Sequence, residues 1–143
     1  VYPEHEKKHK MVHNDSHKFE SNFVSLEIPK NNSVMFGSLS GTKLGVWVAH
    51  GEGKFEFPYE EKEYNIIAKY NYDGYPANPN GSPWSVAGVC SKDGRHLAMM
   101  PHPERAIFPW QCGYYPADRK ENDEVTPWIE AFVNARKWIE NNK

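Results

Sequence analysis

Hydrophobic and polar residues alternate along several short stretches of the chain, with the two-residue period of β-strands. Val24, Leu26 and Ile28 alternate with polar residues up to Pro29, which predicts a strand that ends there. Residues 44–49 are almost continuously apolar, as expected for a strand covered on both faces. Residues 65–70 form a third such segment. The pattern therefore predicts a chain rich in strands.

Shorter segments predict three more strands and a tight turn. Residues 85–90 and 96–100 flank Lys92, Asp93 and Gly94, a sequence typical of the turn in a β-hairpin. The apolar run over residues 34–36 predicts a further short strand. The segment from 73 to 83 is rich in Pro, Asn and Gly and predicts an irregular loop.

One helix is clear, and it lies at the C-terminal end. Thr126 is suited to cap it and Pro127 to occupy its first position. Its apolar face is predicted from residues at helical spacing, namely Trp128, Ile129, Phe132, Val133, Ala135 and Ile139. The fold class expected is α/β, strand-rich with one C-terminal helix.

Composition limits the size of the core. The 143 residues suit a single domain over residues 1–143, with a polar, lysine-rich and mobile segment at residues 1–18. The sequence contains ten Val, six Ile and four Leu, compared with twenty aromatic residues. Rings and Val are therefore expected to dominate the core. With so little aliphatic surface, we expect the chain to depend on a partner, a second copy of itself or another part of a larger protein.

Several classes of protein are disfavoured. No apolar stretch reaches the roughly 18 residues of a membrane span, and no secretory signal is visible, so a cytoplasmic location is expected and no membrane partner. The 17 basic and 19 acidic residues form no basic stripe, so no nucleic-acid partner is expected.

Four histidines in the first segment are spaced four residues apart: His5, His9, His13 and His17. On a helix they would form one stripe able to bind a transition metal. The segment has almost no apolar residue with which such a helix could dock, and residues 14–16 have the character of a turn. A solvated terminus is the favoured interpretation, and no metal site is expected.

The strongest chemical signal is the segment from Met99 to Arg105. Proline at positions 101 and 103 pushes the preceding residues into extended conformations, which would place the carboxylate of Glu104 on the same side as the imidazole of His102. A carboxylate on one ring nitrogen leaves the other free to act as a base. The alternative is a histidine in a proline-bounded loop with no chemical role.

Two further segments have the composition of ligand-binding loops. His50, Gly51 and Glu52 follow the apolar strand, where α/β proteins place ligands, although a strand-ending turn accounts for them equally well. Asn78 and Asn80 lie in the irregular loop and serve either turn geometry or the shape of a nearby site.

Neither cysteine is placed as an activated nucleophile. Cys90 falls at the predicted hairpin turn and Cys112 in an aromatic-rich loop, whereas a nucleophile elbow sets the reactive residue between small residues. The two cysteines are also too few for a disulfide scaffold or a zinc site. The residues alone therefore predict a base and its orienter without a nucleophile.

Taken together, these segments resemble one known family over nearly the whole chain from about residue 11. The matching segments are residues 13–20, 49–55, 75–83, 100–106, 126–128 and 134–136. They resemble the C-terminal part of the flavodoxin-like class I glutamine amidotransferase domain of the phosphoribosylformylglycinamidine synthase family. Several long motifs in the right order are specific, whereas any one of them would not be.

The resemblance implies a function in purine biosynthesis. In that family a cysteine attacks the side-chain amide of glutamine and ammonia is released through a thioester. His102 and Glu104 match the catalytic histidine and glutamate, and His50, Gly51, Glu52, Asn78 and Asn80 are candidates for glutamine binding. The resemblance places the nucleophilic cysteine upstream of Val1, so the chain alone is expected to be inactive.

The resemblance also implies partners outside the chain. These are the upstream half of the amidotransferase domain and a synthetase domain that uses ATP and Mg²⁺, while no cofactor is expected in this chain. The competing hypothesis is a non-catalytic structural or interaction module with an exposed aromatic surface. The candidates for that surface are Trp84, Trp110, Tyr114 and Tyr115.

Overall fold

The computed structural model describes residues 1–143 and contains seven β-strands and two α-helices. The strands are β1 Lys10–Val12, β2 Glu20–Glu27, β3 Lys43–His50, β4 Lys54–Glu56, β5 Asn65–Tyr70, β6 Val86–Cys90 and β7 Leu97–Met99. The helices are α1 Ala117–Lys120 and α2 Ile129–Asn141. Single 3₁₀ turns occupy Gly37–Leu39, Glu61–Glu63, Pro83–Ser85, Pro103–Arg105 and Pro109–Gln111. Neither α-helix is both long and apolar enough to cross a membrane.

Five of the strands form one antiparallel sheet. Its order is β3-β2-β5-β6-β7, and the remaining strands, β1 and β4, pair with each other in a small second sheet. The longest pairing joins β2 and β3 over all eight residues, from Glu20 opposite His50 to Glu27 opposite Lys43. Because this pairing is continuous, β2 and β3 form a rigid base on which the candidate site is built.

Most of the predicted strands are confirmed, and so is the hairpin. β6 pairs with β7, and the intervening turn contains Gly94 at φ +77°, a conformation that glycine adopts without strain. In β3 burial alternates: Val46 and Val48 are buried, while Trp47 is only partly covered. The strand is thus covered on both faces, but more completely on the face of Val46 and Val48 than on the face of Trp47.

The strand expected at residues 34–36 is also wrong. Side chains satisfy the backbone there, since Asn31 Oδ1 accepts from the Ser33 N–H at 2.9 Å. The Ser33 hydroxyl accepts in turn from the N–H groups of Met35 and Phe36, both at 3.3 Å. Such local hydrogen bonds compete with a sheet, and the chain turns into the 3₁₀ segment at Gly37–Leu39.

The C-terminal helix is confirmed, although only part of its predicted apolar face is buried. The Thr126 hydroxyl accepts from the Trp128 N–H at 3.3 Å, as a cap does. Trp128 and Ala131 are buried, whereas Phe132 and Ile139 are exposed. The helix is turned by its contact with residues 35–38, where the Asn134 side-chain amide donates to the Met35 carbonyl. The short helix α1 was not expected.

Two hydrophobic clusters hold the chain together. The larger contains fifteen buried residues and is mostly aliphatic, with only Phe36, Tyr70 and Trp128 contributing rings. The smaller cluster is richer in rings, since Tyr2, Phe55 and Tyr64 belong to it and Phe57, Tyr59 and Trp84 pack against it. The expectation of a core built mainly from rings and Val therefore applies only to the smaller cluster, because the scarce aliphatic residues are concentrated on one face of the large sheet.

Residues 1–18 form no helix. Tyr2 is buried and its hydroxyl donates to the Cys90 carbonyl at 2.8 Å, while β1 pairs with β4. The nearest ring nitrogens of His5 and His9 lie 3.0 Å apart, so these imidazoles bond each other. The four histidines therefore do not form one helical stripe, and no three metal-ligating side chains come together in the chain. The mobility of this segment stays a prediction.

We expect Trp128→Ala to lower the free energy of unfolding by about 3–5 kcal/mol, because it empties a large buried volume and removes the indole hydrogen bond to the Gly45 carbonyl. Urea denaturation measures the change. The matched control is Trp110→Ala, which removes the same side chain where it is 74% exposed and should change stability by less than about 0.5 kcal/mol. Equal losses in both variants would contradict this description of the core.

We expect Gly81→Ala to lower the free energy of unfolding by at least about 1 kcal/mol. Position 81 has φ +79°, and a methyl group there would overlap the Asp15 carboxylate. Thermal unfolding followed by circular dichroism provides the measurement. Gly74→Ala is the control, because nothing lies within 4 Å of the added methyl group. A Gly81 variant as stable as the Gly74 variant would show that the loop around Asn80 tolerates another path.

Candidate functional site

The segment that follows β7 carries the pair of side chains best placed for chemistry. The His102 N–H donates to the Trp47 carbonyl at 2.8 Å, which joins this segment to the free edge of β3. Trp47 is fixed in turn, because its indole N–H donates to the Gln111 carbonyl at 2.7 Å. The backbone of His102 is therefore held by β3, while the loop that contains Gln111 fixes the side chain of Trp47.

His102 and Glu104 are brought together, as their spacing predicts. His102 Nδ1 lies 2.8 Å from Glu104 Oε1. A 3₁₀ turn at Pro103–Arg105 makes this contact, rather than a fully extended chain. Because a carboxylate only accepts, Nδ1 carries the hydrogen, and in the neutral ring Nε2 has the lone pair. The His102 side chain is 30% exposed, and its imidazole is therefore partly accessible to solvent.

His50 is buried in a different way. Only 5% of the residue is exposed, and its Nδ1 lies 3.1 Å from the side-chain oxygen of Asn14. The pKa of His50 is lowered, chiefly by burial. Glu20 raises the same pKa and a charge on His102 lowers it, so both groups lie near His50. Burial therefore favours the neutral form of this imidazole.

Asn14 fixes the turn that contains His50, Gly51 and Glu52. Its amide nitrogen donates to the carbonyls of Lys18 at 2.9 Å and His50 at 2.7 Å. Its amide oxygen accepts from the Gly53 N–H at 3.0 Å and from His50 Nδ1. A fully buried amide thus makes four hydrogen bonds and ties the start of the chain to the end of β3.

Glu20 is the least expected member of the site. It is 5% exposed and lies directly opposite His50 in the β2–β3 pairing. The amide of Asn22 donates to Glu20 Oε2 at 3.2 Å, while Oε1 is buried without a partner. The sequence contains a signal for this position. Glu20, Val24 and Leu26 are separated by even numbers of residues, so in a strand the Glu20 carboxyl group lies on the same buried face of β2.

The other candidate binding residues have structural contacts. Asn80 is fully buried, and its amide donates to the Gly53 carbonyl and the Tyr70 hydroxyl. The Asn78 amide bonds the backbone of its own loop at Gly81 and Ser82. Both side chains shape the loop beside the β3 turn, and their contact with a substrate stays a prediction.

Gly51 and Glu52 lie at the surface of the same turn. The Gly51 carbonyl accepts from the Asn14 N–H at 2.9 Å. Glu52 is exposed and lies 3.4 Å from the ring of His13. Of the residues proposed from the sequence to bind glutamine, Glu52 therefore has the most accessible side chain.

Neither cysteine has an activating environment. Burial raises the pKa of the thiol of both Cys90 and Cys112, which disfavours the reactive thiolate. Cys90 ends β6 inside the larger core cluster. The Sγ atom of Cys112 lies 3.7 Å from the Phe108 carbonyl, a weak contact that does not activate it.

The expected aromatic surface is present in part. Trp110 and Tyr114 are each 74% exposed, while Trp84 and Tyr115 are partly buried. Trp110 stacks on Phe108 with the ring centres 5.9 Å apart. The exposed rings thus follow directly after the His102 segment.

The chain is similar to one family model and to several known proteins. Residues 2–139 match the model of the CobB/CobQ-like glutamine amidotransferase domain family. A probable phosphoribosylformylglycinamidine synthase, chloroplastic/mitochondrial, from Arabidopsis thaliana is 43% identical over 145 residues. The phosphoribosylformylglycinamidine synthase of Homo sapiens is 43% identical over 138 residues.

The chain is similar to only part of each of these proteins. It aligns over 92% and 88% of its own length, yet spans 10% of either relative. The structure of PurLQS from Thermotoga maritima is similar with a TM-score of 0.70 and 25% identity, over 93% of this chain and 54% of that chain. The expected fold class, part of an α/β glutamine amidotransferase fold, is confirmed. With a family match that spans almost all of its residues, the chain belongs to the CobB/CobQ-like glutamine amidotransferase domain family.

Proposed function

We propose that this chain supplies the base and the orienting carboxylate of the glutaminase site in a phosphoribosylformylglycinamidine synthase. The observation that carries the proposal is the 2.8 Å contact between His102 Nδ1 and Glu104 Oε1 on a partly open surface. The family match supports a glutamine amidotransferase, and the names of the relatives support the particular synthase. Glutamine is therefore the proposed small-molecule substrate.

The two residues have separate roles in this proposal. His102 Nε2 takes the proton from an attacking thiol, and it later returns a proton to the departing amide nitrogen. Glu104 accepts the Nδ1–H, holds the ring orientation and stabilises the imidazolium that forms. Glutamine and water then yield glutamate and ammonia by way of a thioester on the attacking cysteine.

The attacking cysteine is proposed to come from outside residues 1–143. Burial raises the pKa of both thiols in the chain, and neither lies in a strand-to-helix elbow. An upstream half of the amidotransferase domain would place its cysteine near His102 Nε2. His102 is held at the edge of β3, where a neighbouring unit can approach it.

The released ammonia is proposed to serve a synthetase part of the parent. There, ATP and Mg²⁺ drive the conversion of formylglycinamide ribonucleotide to formylglycinamidine ribonucleotide. The resemblance to the synthase family, rather than any feature of these residues, assigns both cofactors to the synthetase part, outside this chain.

A second role, as an interaction module, rests on the exposed rings. Trp110 and Tyr114 leave large apolar areas in water next to the His102 segment. We propose that these rings contact the rest of the parent protein rather than small ligands. This role is compatible with the glutaminase proposal, since the site requires a partner on this side.

We expect no glutamate release from the chain alone, and release when it is mixed with a separately made upstream half of the amidotransferase domain. In the mixture, His102→Ala should lower the rate at least about 100-fold, because the thiol loses its base. A coupled glutamate assay measures the rate. Steady glutamate release by the chain alone would contradict the assignment of the nucleophile.

Two variants serve as controls for that mixture. His96→Ala removes an exposed imidazole far along the β6–β7 hairpin and should leave the rate unchanged. Cys112→Ser should also retain activity, because the proposed nucleophile lies elsewhere. In the intact parent, His102→Ala should abolish glutamine-dependent synthesis and spare ammonia-dependent synthesis. Loss of both syntheses would assign His102 a structural role instead.

We expect Glu104→Gln to lower kcat by about 100-fold or more while KM changes little, because the amide still orients the ring but no longer stabilises an imidazolium. Steady-state kinetics on the reconstituted mixture separates the two constants. Glu124→Gln, at an exposed position before α2, is the matched control. A rise in KM with unchanged kcat would instead indicate that Glu104 binds the substrate.

A further inference from the structure

The turn at residues 102–106, which carries the proposed orienting carboxylate, is attached to the rest of the fold at both ends. At its first residue, the His102 N–H donates to the Trp47 carbonyl of β3 at 2.8 Å. At its last residue, the buried Ala106, the carbonyl accepts from the Thr126 hydroxyl at 2.6 Å. The orienting carboxylate therefore projects from a stretch of backbone that lies between two fixed points.

Thr126 holds the second of these points with its backbone and its side chain. Its N–H donates to the Ile107 carbonyl at 2.7 Å, next to the hydroxyl contact with Ala106. The same hydroxyl accepts from the Trp128 N–H at 3.3 Å. Only 2% of Thr126 is exposed, so solvent does not easily replace these bonds. The hydroxyl contact comes from the side chain, and it can therefore be removed without changing the backbone.

The segment that begins at Thr126 is itself attached to β3. Trp128 is 1% exposed, and its indole N–H donates to the Gly45 carbonyl at 2.8 Å. Gly45 lies two residues before Trp47, whose carbonyl holds the first end of the 102–106 turn. The strand, the turn and the start of the C-terminal segment therefore form a closed ring of contacts, in which Thr126 is the link to the far end of the turn.

The contact between the proposed base and its orienter depends on the shape of this turn. Nδ1 of His102 lies 2.8 Å from Oε1 of Glu104, whose side chain is 54% exposed. A second cationic group is near, since Arg105 Nε lies 3.7 Å from the same oxygen. Because solvent and a neighbouring cation compete for so open a carboxylate, its position depends on the backbone that presents it. Fixing both ends of the turn reduces the number of conformations that this backbone can adopt.

We propose that Thr126 is a positioning residue for the glutaminase reaction: its hydroxyl fixes the end of the 102–106 turn and so keeps the Glu104 carboxylate on Nδ1 of His102. This inference rests on the proposed glutaminase function for its consequence in catalysis, whereas its effect on the pair can be measured without glutamine. Thr126 touches neither side chain of the pair and acts through the backbone at Ala106. Its role therefore extends beyond capping α2.

The test is the tautomer of His102 in the full 143-residue chain, measured by long-range ¹H–¹⁵N correlation at about pH 8, where an ordinary histidine is neutral. Thr126→Val keeps the shape of the side chain and removes the hydroxyl. We expect it to lower the ratio of the Nδ1–H to the Nε2–H form at least about threefold, because the carboxylate that selects the Nδ1–H form is held less well. Thr126→Ser retains a hydroxyl and should restore the native ratio.

Asn134→Ala is the control for a general loss of stability. The Asn134 amide donates to the Met35 carbonyl at 3.1 Å and to the Ser38 hydroxyl at 2.6 Å, so its removal loosens the docking of α2 without touching the 102–106 turn. Urea denaturation should show a loss of stability in this variant, while the His102 ratio stays native. A ratio that falls equally in Asn134→Ala and Thr126→Val, or that Thr126→Ser fails to restore, would overturn the proposal.

Hydrogen exchange in the native chain keeps the proposal falsifiable if Thr126→Val fails to fold. The Ala106 N–H donates to the Pro103 carbonyl within the turn, and the Thr126 N–H donates to Ile107. If Thr126 fixes the turn, both amides become accessible in the same opening and should show protection factors within about threefold of each other. Much weaker protection of Ala106 would show that the turn opens while Thr126 stays bonded, which contradicts the proposal.

Kinetics on the mixture with the upstream half of the domain separate this inference from the proposed function. Thr126→Val should lower kcat about tenfold with KM nearly unchanged, because the base is less well oriented while substrate contacts are intact, and Thr126→Ser should recover the rate. Glutamate release that is insensitive to Thr126→Val would contradict the positioning role alone. Absence of release from the native mixture would instead contradict the glutaminase proposal and leave the tautomer result standing.

Discussion

The hydrogen bonds of one buried amide determine how the parts of the site meet. Asn14 lies in the segment before β2, yet its side chain bonds the carbonyl and ring of His50 and the N–H of Gly53. Because all four of its bonds are made in a place that excludes water, the loss of any one would leave a buried group unpaired. The β3 turn therefore has one conformation, and the tautomer of His50 follows from it.

The candidate site is then assembled on the two sides of one strand. The His102 segment bonds the free edge of β3 at Trp47, and Glu20 on β2 lies across from the end of the same strand at His50. The pairing of β2 with β3 over eight residues keeps these groups in fixed relation. The His102 side chain is left partly open to solvent, while Glu20 and His50 are buried.

The accuracy of the sequence-based predictions depended on how far apart the interacting residues lie. His102 and Glu104 are two residues apart, so the prolines between and before them were enough to predict that they share a side. Asn14 and His50 are 36 residues apart, and no local pattern links them. The strand expected at residues 34–36 does not form for a local reason, because the side chains of Asn31 and Ser33 hydrogen-bond the backbone there. The C-terminal helix was predicted correctly, but its buried face depends on contacts with residues 35–38. The spacing of apolar residues within the helix does not reveal those contacts.

What the sequence by itself determined was the five strands of the larger sheet, the hairpin at Gly94, the capped helix and the His102–Glu104 pair, because each arises from residues within one short segment. Only the tertiary structure decided which face of α2 is buried, where the aliphatic core lies and that Glu20 stands opposite His50. Those features depend on contacts between distant segments, whose relative positions are set by strand register and by the exclusion of water from the sheet face. The family was visible from the order of the motifs, but the buried pair of Glu20 and His50 was not.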